Sequence, residues 1–272
     1  MTDPQRNKQQ VSQQFSRAAS SYDQAATIQQ QALDRLFELL RQQQPHIHGN
    51  WLDIGCGTGQ AFAPLQQLGA DHIFGVDLAE GMLDVARRKS EQLSCPVTLS
   101  QADADRLPFD EAGLAKSEGI QGVVSSLMLQ WSEQPQITLQ EWFRVAAPGS
   151  TLAVATLLPG THDEIRQTWA NIDEYRHVNE FASADALKNA ISASGWQLQH
   201  WHSECLQEHY DNVTSLLRGL KAIGATNVNN GRRPGLGGRK LVRQFEQFYP
   251  KASDGHCPLS YQVCWFIASK PA

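Results

Sequence analysis

The chain has 272 residues, of which 41% are hydrophobic and 19% charged, a composition typical of a globular protein with a buried core. A formal net charge of −5 provides no attraction to nucleic acid or to an anionic membrane, so neither is predicted as a partner. No apolar run is long enough to span a bilayer, the N-terminus is polar, and the five cysteines lack metal-ligand spacing, so we expect a metal-free cytoplasmic protein.

Two amphipathic helices are predicted ahead of the first strand, within residues 1–44. Apolar side chains recur on one face of residues 6–20 and again on one face of residues 25–43. The many glutamines in these segments are interpreted as solvated helix faces.

Short apolar runs alternate with amphipathic segments over residues 45–158. Strands are predicted at residues 50–54, 72–76, 96–100, 121–126 and 150–156, with helices between them, the last at 135–146. Two later runs, at residues 197–206 and 261–268, are expected to form an antiparallel pair at the sheet edge. The pattern predicts an α/β fold with a doubly wound, mostly parallel, seven-stranded sheet.

We expect a single domain over residues 1–272, with residues 45–158 as its core. Two insertions interrupt the pattern: residues 159–182 follow the fifth strand, and residues 207–258 separate the last two strands. Ligands of open α/β sheets bind beyond the carboxyl ends of the strands, where either insertion could cap a site.

A glycine turn follows the first strand, in the run Trp-Leu-Asp-Ile-Gly-Cys-Gly-Thr-Gly at residues 51–59. Its spacing is G-x-G-x-G, whereas a dinucleotide fingerprint requires G-x-G-x-x-G/A. Asp53 would repel a pyrophosphate and would favour a cation, so the charge favours S-adenosylmethionine (SAM) over NAD. We expect Gly55, Cys56, Gly57 and Gly59 to contact this cofactor, although an ordinary tight turn is the simpler alternative.

Two more acidic residues stand at the ends of the next predicted strands. Asp77 could accept hydrogen bonds from both ribose hydroxyls, which either SAM or NAD would supply. Asp103 could accept a hydrogen bond from an adenine amino group. Each aspartate could instead cap a helix, but three acids at three successive strand ends favour nucleoside binding.

These motifs resemble those of the class I SAM-dependent methyltransferases over roughly residues 45–157. The matching segments are the glycine turn, the strand that ends at Asp77, the helix at 81–87, and the run Asp-Ala-Asp-Arg-Leu-Pro-Phe at 103–109. The resemblance implies SAM as the cofactor, with further contacts from Leu78, Met82, Ala104 and the strand-four residue Ser126.

Segments outside this core resemble a narrower family, the malonyl-acyl-carrier-protein O-methyltransferases of biotin synthesis. They are residues 15–23, 125–131, 156–161, 177–181, 217–227 and 231–236, and the likeness spans nearly the whole chain. One departure is Ser125-Ser126, where the family usually has Ser-Asn. The resemblance implies methyl transfer to the free carboxylate of a malonyl thioester on acyl carrier protein, a group already ionised at neutral pH that needs no strong base.

A carboxylate substrate requires a group that holds it, and arginine forms bidentate pairs with carboxylates. Arg166 and Arg233 are our first candidates, followed by Arg239. Tyr22, Trp131 and His177 are candidate pocket walls or hydrogen-bond donors. For any one of the arginines a solvated surface charge is the better interpretation, and a buried Tyr or Trp is more often core than site.

A basic group in the second insertion could steer an acidic carrier protein. It consists of Arg232, Arg233, Arg239, Lys240 and Lys251. The sequence leaves two alternatives open: a SAM-dependent methyltransferase of another small metabolite, such as a quinone precursor, and a SAM-binding partner protein without catalysis. Turnover of a malonyl thioester against free small acids or phenols would separate them. The sequence does not indicate an oligomeric state.

Overall fold

The computed structural model describes residues 7–109, 119–224 and 238–272, without the side chains of residues 238–240. Seven strands form one sheet: β1 Asn50–Ile54, β2 His72–Asp77, β3 Val97–Gln101, β4 Ile120–Ser126, β5 Ala146–Leu157, β6 Gln197–Tyr210 and β7 Cys257–Ser269. Nine helices are described: α1 Lys8–Ala25, α2 Thr27–Gln43, α3 Phe62–Leu68, α4 Glu80–Ser90, α5 Pro135–Val145, α6 Asp163–Ala170, α7 Ala184–Ala193, α8 Val213–Ala222 and α9 Gly238–Phe248.

The sheet has the strand order β3-β2-β1-β4-β5-β7-β6. The first five strands are parallel, and β7 runs antiparallel to both β5 and β6. The prediction of a doubly wound, mostly parallel sheet is therefore confirmed, and so is the antiparallel pair at its edge.

The last two strands are longer than the sequence pattern predicted. Their pairing continues in register as far as Tyr210 opposite Cys257, which makes residues 207–210 and 257–258 part of the sheet. The connection predicted at 207–258 is correspondingly shorter. Alternate β7 residues in this extension, Cys257, Leu259 and Tyr261, are buried, and this burial extends the apolar face of the sheet.

Apolar side chains cover both faces of the sheet. Trp51 and Trp265 belong to the cluster on the side of α2, and the indole N–H of Trp265 donates to the carbonyl of Ala32. Trp142 of α5 and Phe266 belong to the cluster on the opposite side. Because adjacent β7 residues enter different clusters, the sheet is a middle layer that is covered by helices on both faces.

Helix α1 extends to Ala25, beyond the predicted end at residue 20, and it begins at an N-cap in which Asn7 accepts from the backbone N–H of Gln10. It packs against α4, with the Ser16 hydroxyl bound to the N–H of Gly81 and the Ser12 hydroxyl bound to the carbonyl of Leu78. The first helix thereby lies beside the carboxyl ends of β1 and β2. Within the described ranges, no helix combines the length and the apolar character that crossing a membrane requires.

Candidate active site

The glycine turn after β1 is fixed by backbone hydrogen bonds to β2. The N–H groups of Gly55 and Cys56 both donate to the carbonyl of Val76, at 2.8 and 2.9 Å. Gly57 adopts φ +52°, a left-handed conformation that disfavours side chains. The turn therefore exposes backbone at the sheet edge, as its sequence predicted.

Asp77 links this turn to the next helix. One of its carboxylate oxygens accepts the N–H of Gly57 and the other accepts the N–H of Ala79, each at 2.8 Å. Burial raises the pKa of Asp77, and the backbone hydrogen bonds from Ala79, Gly57 and Leu78 oppose that rise. Since a carboxylate has about four acceptor positions, Asp77 can still accept a ribose hydroxyl group.

Two features of the turn fit a cationic nucleoside cofactor. A Cβ built on Gly57 would meet no atom within 4 Å, so this backbone faces open space. Asp53 is buried with one carboxylate oxygen unpaired, and burial, followed by the charge of Asp77, raises its pKa to about 8. An ammonium group near Asp53 would favour the ionised carboxylate, which the protein alone does not.

A cavity at this edge of the sheet, the first cavity, collects most of the predicted cofactor residues. Its described lining includes Gly55, Gly57, Asp77, Leu78, Met82, Asp103, Ala104 and Ser126. Asp53, Cys56 and Gly59 lie behind the surface of this cavity: Cys56 is buried, and a Cβ on Gly59 would collide with the ring of Phe62. Their expected role is to shape the turn, and cofactor contact by each residue stays a prediction.

Helix α1 forms a wall of the first cavity that the sequence did not predict. Lys8, Val11, Ser12 and Phe15 line it. The Lys8 ammonium bonds Asp103 at 2.7 Å and Asp105 at 2.6 Å, and these bonds outweigh burial and raise the pKa of Lys8. The carboxylate expected to bind adenine is thus paired with a lysine from a helix 95 residues away.

A second cavity adjoins the first. Four residues line both, Phe15, Tyr22, Leu127 and Trp131, and the ring of Phe15 meets that of Trp131 edge-on at 5.4 Å. Burial raises the pKa of Tyr22, with additional effects from Asp77 and Asp23, so its phenol is neutral. The predicted wall residues Tyr22 and Trp131 therefore lie where the two spaces meet.

The second cavity also receives residues from the first insertion. His177 lines it, stacked on Trp169 at 3.7 Å between centroids, and its Nε2 lies 2.7 Å from an oxygen of Asp173. These contacts hold the imidazole of His177 in one orientation. The sequence did not predict five further polar lining residues, Gln29, Gln130, His162, Asn179 and Tyr261.

The candidate arginines are not among the described residues of either cavity. Arg166 lies on the outer face of α6 with its side chain 62% exposed, and it pairs with Asp163 one turn earlier. Arg233 lies outside the described residues, as does the side chain of Arg239 at the start of α9. Arg166, a first-ranked candidate, is thus positioned as an exposed helical ion pair.

Comparison with known proteins agrees with this geometry. Residues 52–154 match the methyltransferase domain family. The solved structure of the YcgJ protein of Bacillus subtilis shares the fold, with a TM-score of 0.63 at 14% identity over 88% of this chain and 99% of that chain. The fold and the site define a class I, Rossmann-like methyltransferase that uses SAM.

Relatives of higher sequence identity indicate a particular family within this class. The malonyl-[acyl-carrier protein] O-methyltransferase of Yersinia pestis is 34% identical over 96% of this chain and 91% of that protein. The chain belongs to the malonyl-[acyl-carrier protein] O-methyltransferase family. It is also 35% identical to the biotin biosynthesis bifunctional protein BioHC of Teredinibacter turnerae, a longer relative of which it spans about half, 47%.

Proposed function

We propose that this protein transfers a methyl group from SAM to the free carboxylate of a malonyl thioester carried on acyl carrier protein, which yields the methyl ester that begins pimeloyl synthesis for biotin. The observation that carries the proposal is the junction of the two cavities. A cofactor held by Asp77 and the glycine turn would lie in one, and a small acceptor would fit in the other. The relatives named for malonyl-acyl carrier protein favour this acceptor over a quinone precursor.

The residues of the first cavity, together with Asp53 behind its surface, have positions suited to SAM. Asp77 would accept a ribose hydroxyl, Asp53 would stabilise the cationic methionine end, and Met82 would pack near the adenine. When bound, SAM supplies a methyl group on a sulfonium, which is activated without any group of the protein.

The carboxylate acceptor does not require a general base. A carboxylate with an ordinary pKa near 4 is ionised at neutral pH, so no proton has to be removed before it attacks. The work of the protein is then to orient one carboxylate oxygen and to exclude water from it. The aromatic wall of Phe15, Tyr22 and Trp131 supplies an apolar boundary at the meeting point.

The direct test is incubation with SAM and malonyl-acyl carrier protein, followed by mass spectrometry of the carrier. We expect a gain of one methylene on the malonyl group, and no gain on acetyl-acyl carrier protein. Malonyl-coenzyme A, free small acids and phenols are tested in parallel. Turnover only of a phenol would refute the proposal, and SAM binding without turnover of any acceptor would indicate a non-catalytic binding protein.

Recognition of the carrier protein is part of the proposal. An acidic carrier attracted to basic residues such as Lys251, which is exposed, would bind less well as salt rises, because the Debye length falls from about 10 Å at 0.1 M to about 3 Å at 1 M. We expect the KM for malonyl-acyl carrier protein to rise with salt and the KM for a small malonyl thioester to change much less. Equal salt dependence would argue against a basic docking surface. A cytoplasmic location stays a prediction.

A further inference from the structure

The second cavity carries polar groups that no described contact satisfies. The buried atoms without a hydrogen-bond partner include His162 Nε2, the phenol oxygen of Tyr261 and Asn179 Oδ1, and all three residues line this cavity. Tyr261 is only 2% exposed. A buried polar atom without a partner costs about 1–3 kcal/mol, so three around one small space make it a candidate site for water or a polar ligand.

The backbone at this place is also unusual. Among the described residues, the non-glycine residues with left-handed backbone are Leu127 at φ 53° and His162 at φ 58°, and both line the second cavity. Such conformations cost of order 1–3 kcal/mol each and concentrate at functional sites. His162 is held there because its N–H donates to the carbonyl of Ser260 at 2.8 Å, which fixes the loop after β5 against β7.

Both side chains are neutral and can donate a hydrogen bond, the imidazole as its Nε2–H tautomer. Burial lowers the pKa of His162 to about 4, so the imidazole is uncharged at neutral pH. Burial, followed by the effect of nearby acidic groups such as Glu208 and Glu164, raises the pKa of Tyr261, so the phenol keeps its proton. The rings of Tyr261 and His162 meet edge-on at 4.6 Å between centroids.

The acidic side chains near Tyr261 already accept hydrogen bonds from other residues. Glu208 accepts from the hydroxyl of Tyr210 at 2.6 Å, and Glu164 accepts from the backbone N–H and the hydroxyl of Ser260. The described lining of the second cavity contains no lysine or arginine. Within the described lining, an anion would therefore meet the neutral groups of His162 and Tyr261 and no lysine or arginine, while Asn179 Oδ1 can only accept.

We propose that Tyr261 and His162 bind the carboxylate of the methyl acceptor by donating hydrogen bonds from the phenol O–H and the imidazole Nε2–H. The inference rests on the proposed function, and it assigns to this pair the role expected of an arginine. A carboxylate oxygen is a pure acceptor and matches both donors. Neutral donors orient the oxygen without the full charge neutralisation of an arginine pair, which leaves it more nucleophilic once water is excluded.

The main test is Tyr261→Phe, with Tyr249→Phe as the matched control. Tyr249 is another buried tyrosine near β7, but its hydroxyl donates to the carbonyl of Pro258 at 2.6 Å, and it lines neither cavity. We expect Tyr261→Phe to lower kcat/KM for a malonyl thioester by about tenfold or more, while its Tm stays equal or rises because the lost hydroxyl had no partner. Tyr249→Phe should lower the Tm and keep the kinetics. The opposite pattern would overturn the proposal.

His162→Asn gives an independent test, because asparagine adopts left-handed backbone readily but its amide ends short of the imidazole Nε2. We expect the same loss of kcat/KM with unchanged affinity for S-adenosylhomocysteine. Normal kinetics in both Tyr261→Phe and His162→Asn would overturn the assignment and leave the proposed function intact.

A binding measurement separates the two proposals. The protein saturated with S-adenosylhomocysteine is titrated with malonyl-N-acetylcysteamine and with the methyl ester of the same thioester. We expect wild type to prefer the free acid and Tyr261→Phe to lose that preference. If the preference holds but wild type methylates no malonyl thioester, the carboxylate site stands and the proposed function fails. No preference in wild type overturns the carboxylate site.

Discussion

The two cavities meet at the aromatic wall of Phe15, Tyr22 and Trp131, but they differ in the charge of the groups around them. In the first, Asp53, Asp77 and Asp103 place carboxylates around a space suited to a cation and its hydroxyls, and most of their oxygens are paired. In the second, the buried atoms without a described partner include His162 Nε2 and the Tyr261 hydroxyl, which can donate, and Asn179 Oδ1, which can only accept. A methyltransferase that unites a sulfonium with a carboxylate needs this separation, because charges of the protein matched to one ligand would repel or over-stabilise the other.

Of the residues of the first cavity, Asp77 is expected to contribute most to cofactor affinity. Asp77→Ala should weaken S-adenosylhomocysteine binding by up to about 100-fold, since a hydroxyl bond to a carboxylate is worth about 1.5–3 kcal/mol. The Tm should also fall, because Gly57 and Ala79 lose their acceptor. Calorimetry checks the affinity, with exposed Asp84→Ala on α4 as control. Equal affinities for Asp77→Ala and wild type would refute the ribose assignment.

The pH dependence of stability should reveal the free-energy cost of ionising the buried Asp53. Its pKa is about 8 in the folded protein against 3.8 ordinarily, so between these values the unfolded chain releases a proton that the folded protein retains. Asp53 therefore lowers the free energy of unfolding as pH rises, by about 1.4 kcal/mol per unit. Asp53→Asn should be more stable than wild type, and its gain in the free energy of unfolding should be up to about 2.7 kcal/mol larger at pH 7 than at pH 5.

That gain should come with a loss of SAM affinity, because the neutral amide cannot balance the ammonium. Thermal unfolding without cofactor at several pH values is the measurement, with Asp84→Asn as the exposed control. A Tm difference that does not change between pH 5 and pH 7 would mean that Asp53 is ionised in the folded protein.

The glycine turn offers a way to block the first cavity alone. Gly57→Ala should cost about 1 kcal/mol of stability for its positive φ and weaken S-adenosylhomocysteine binding by about 30-fold through steric overlap. Gly255→Ala is the matched control, since Gly255 has φ +86° and equally open space around a Cβ but lies in the turn before β7. Similar cofactor affinity in both variants would show that the space above Gly57 is not used.

The smallest expected effect concerns the lysine in the first cavity. Lys8 and Asp103 are each more than one-third exposed, and such pairs contribute about 0–1 kcal/mol. Lys8→Met should therefore leave the Tm nearly unchanged and raise cofactor affinity by up to about threefold, because Asp103 becomes available to adenine. Lys188→Met, remote from both cavities, is the control. A tenfold loss of affinity would instead make Lys8 a cofactor ligand.

The sequence predicted the parts of the molecule that local patterns encode. Strand and glycine spacing positioned Gly57 and Asp77 correctly at one sheet edge, because parallel strands bring their carboxyl ends together. The contribution of α1 escaped prediction, since the pairing of Lys8 with Asp103 depends on how a helix docks across 95 residues. Periodicity shows that a helix has an apolar face but not which element covers it.

The residues of the second cavity were also hard to predict from the sequence, because they come from distant parts of the chain. His162 and Tyr261 lie about 100 positions apart in the chain and meet because β7 runs antiparallel past the end of β5, with Leu157 opposite Val263. The negative charge of the expected substrate favoured arginines, Arg166 among them, and that assignment stays a prediction. The exposure of that side chain and its pairing with Asp163 are set by the direction in which α6 faces, which no local pattern specified.

Helix α1 has a consequence for the timing of the reaction. Each cycle must exchange one cofactor molecule, and α1 covers the first cavity with Lys8, Ser12 and Phe15. The described polar contacts of α1 at this cavity are few and partly exposed, among them the bond from Ser12 to Leu78 and the ion pairs of Lys8. We expect these bonds to open and reform in each cycle of cofactor exchange, at a rate that stopped-flow release of S-adenosylhomocysteine would measure.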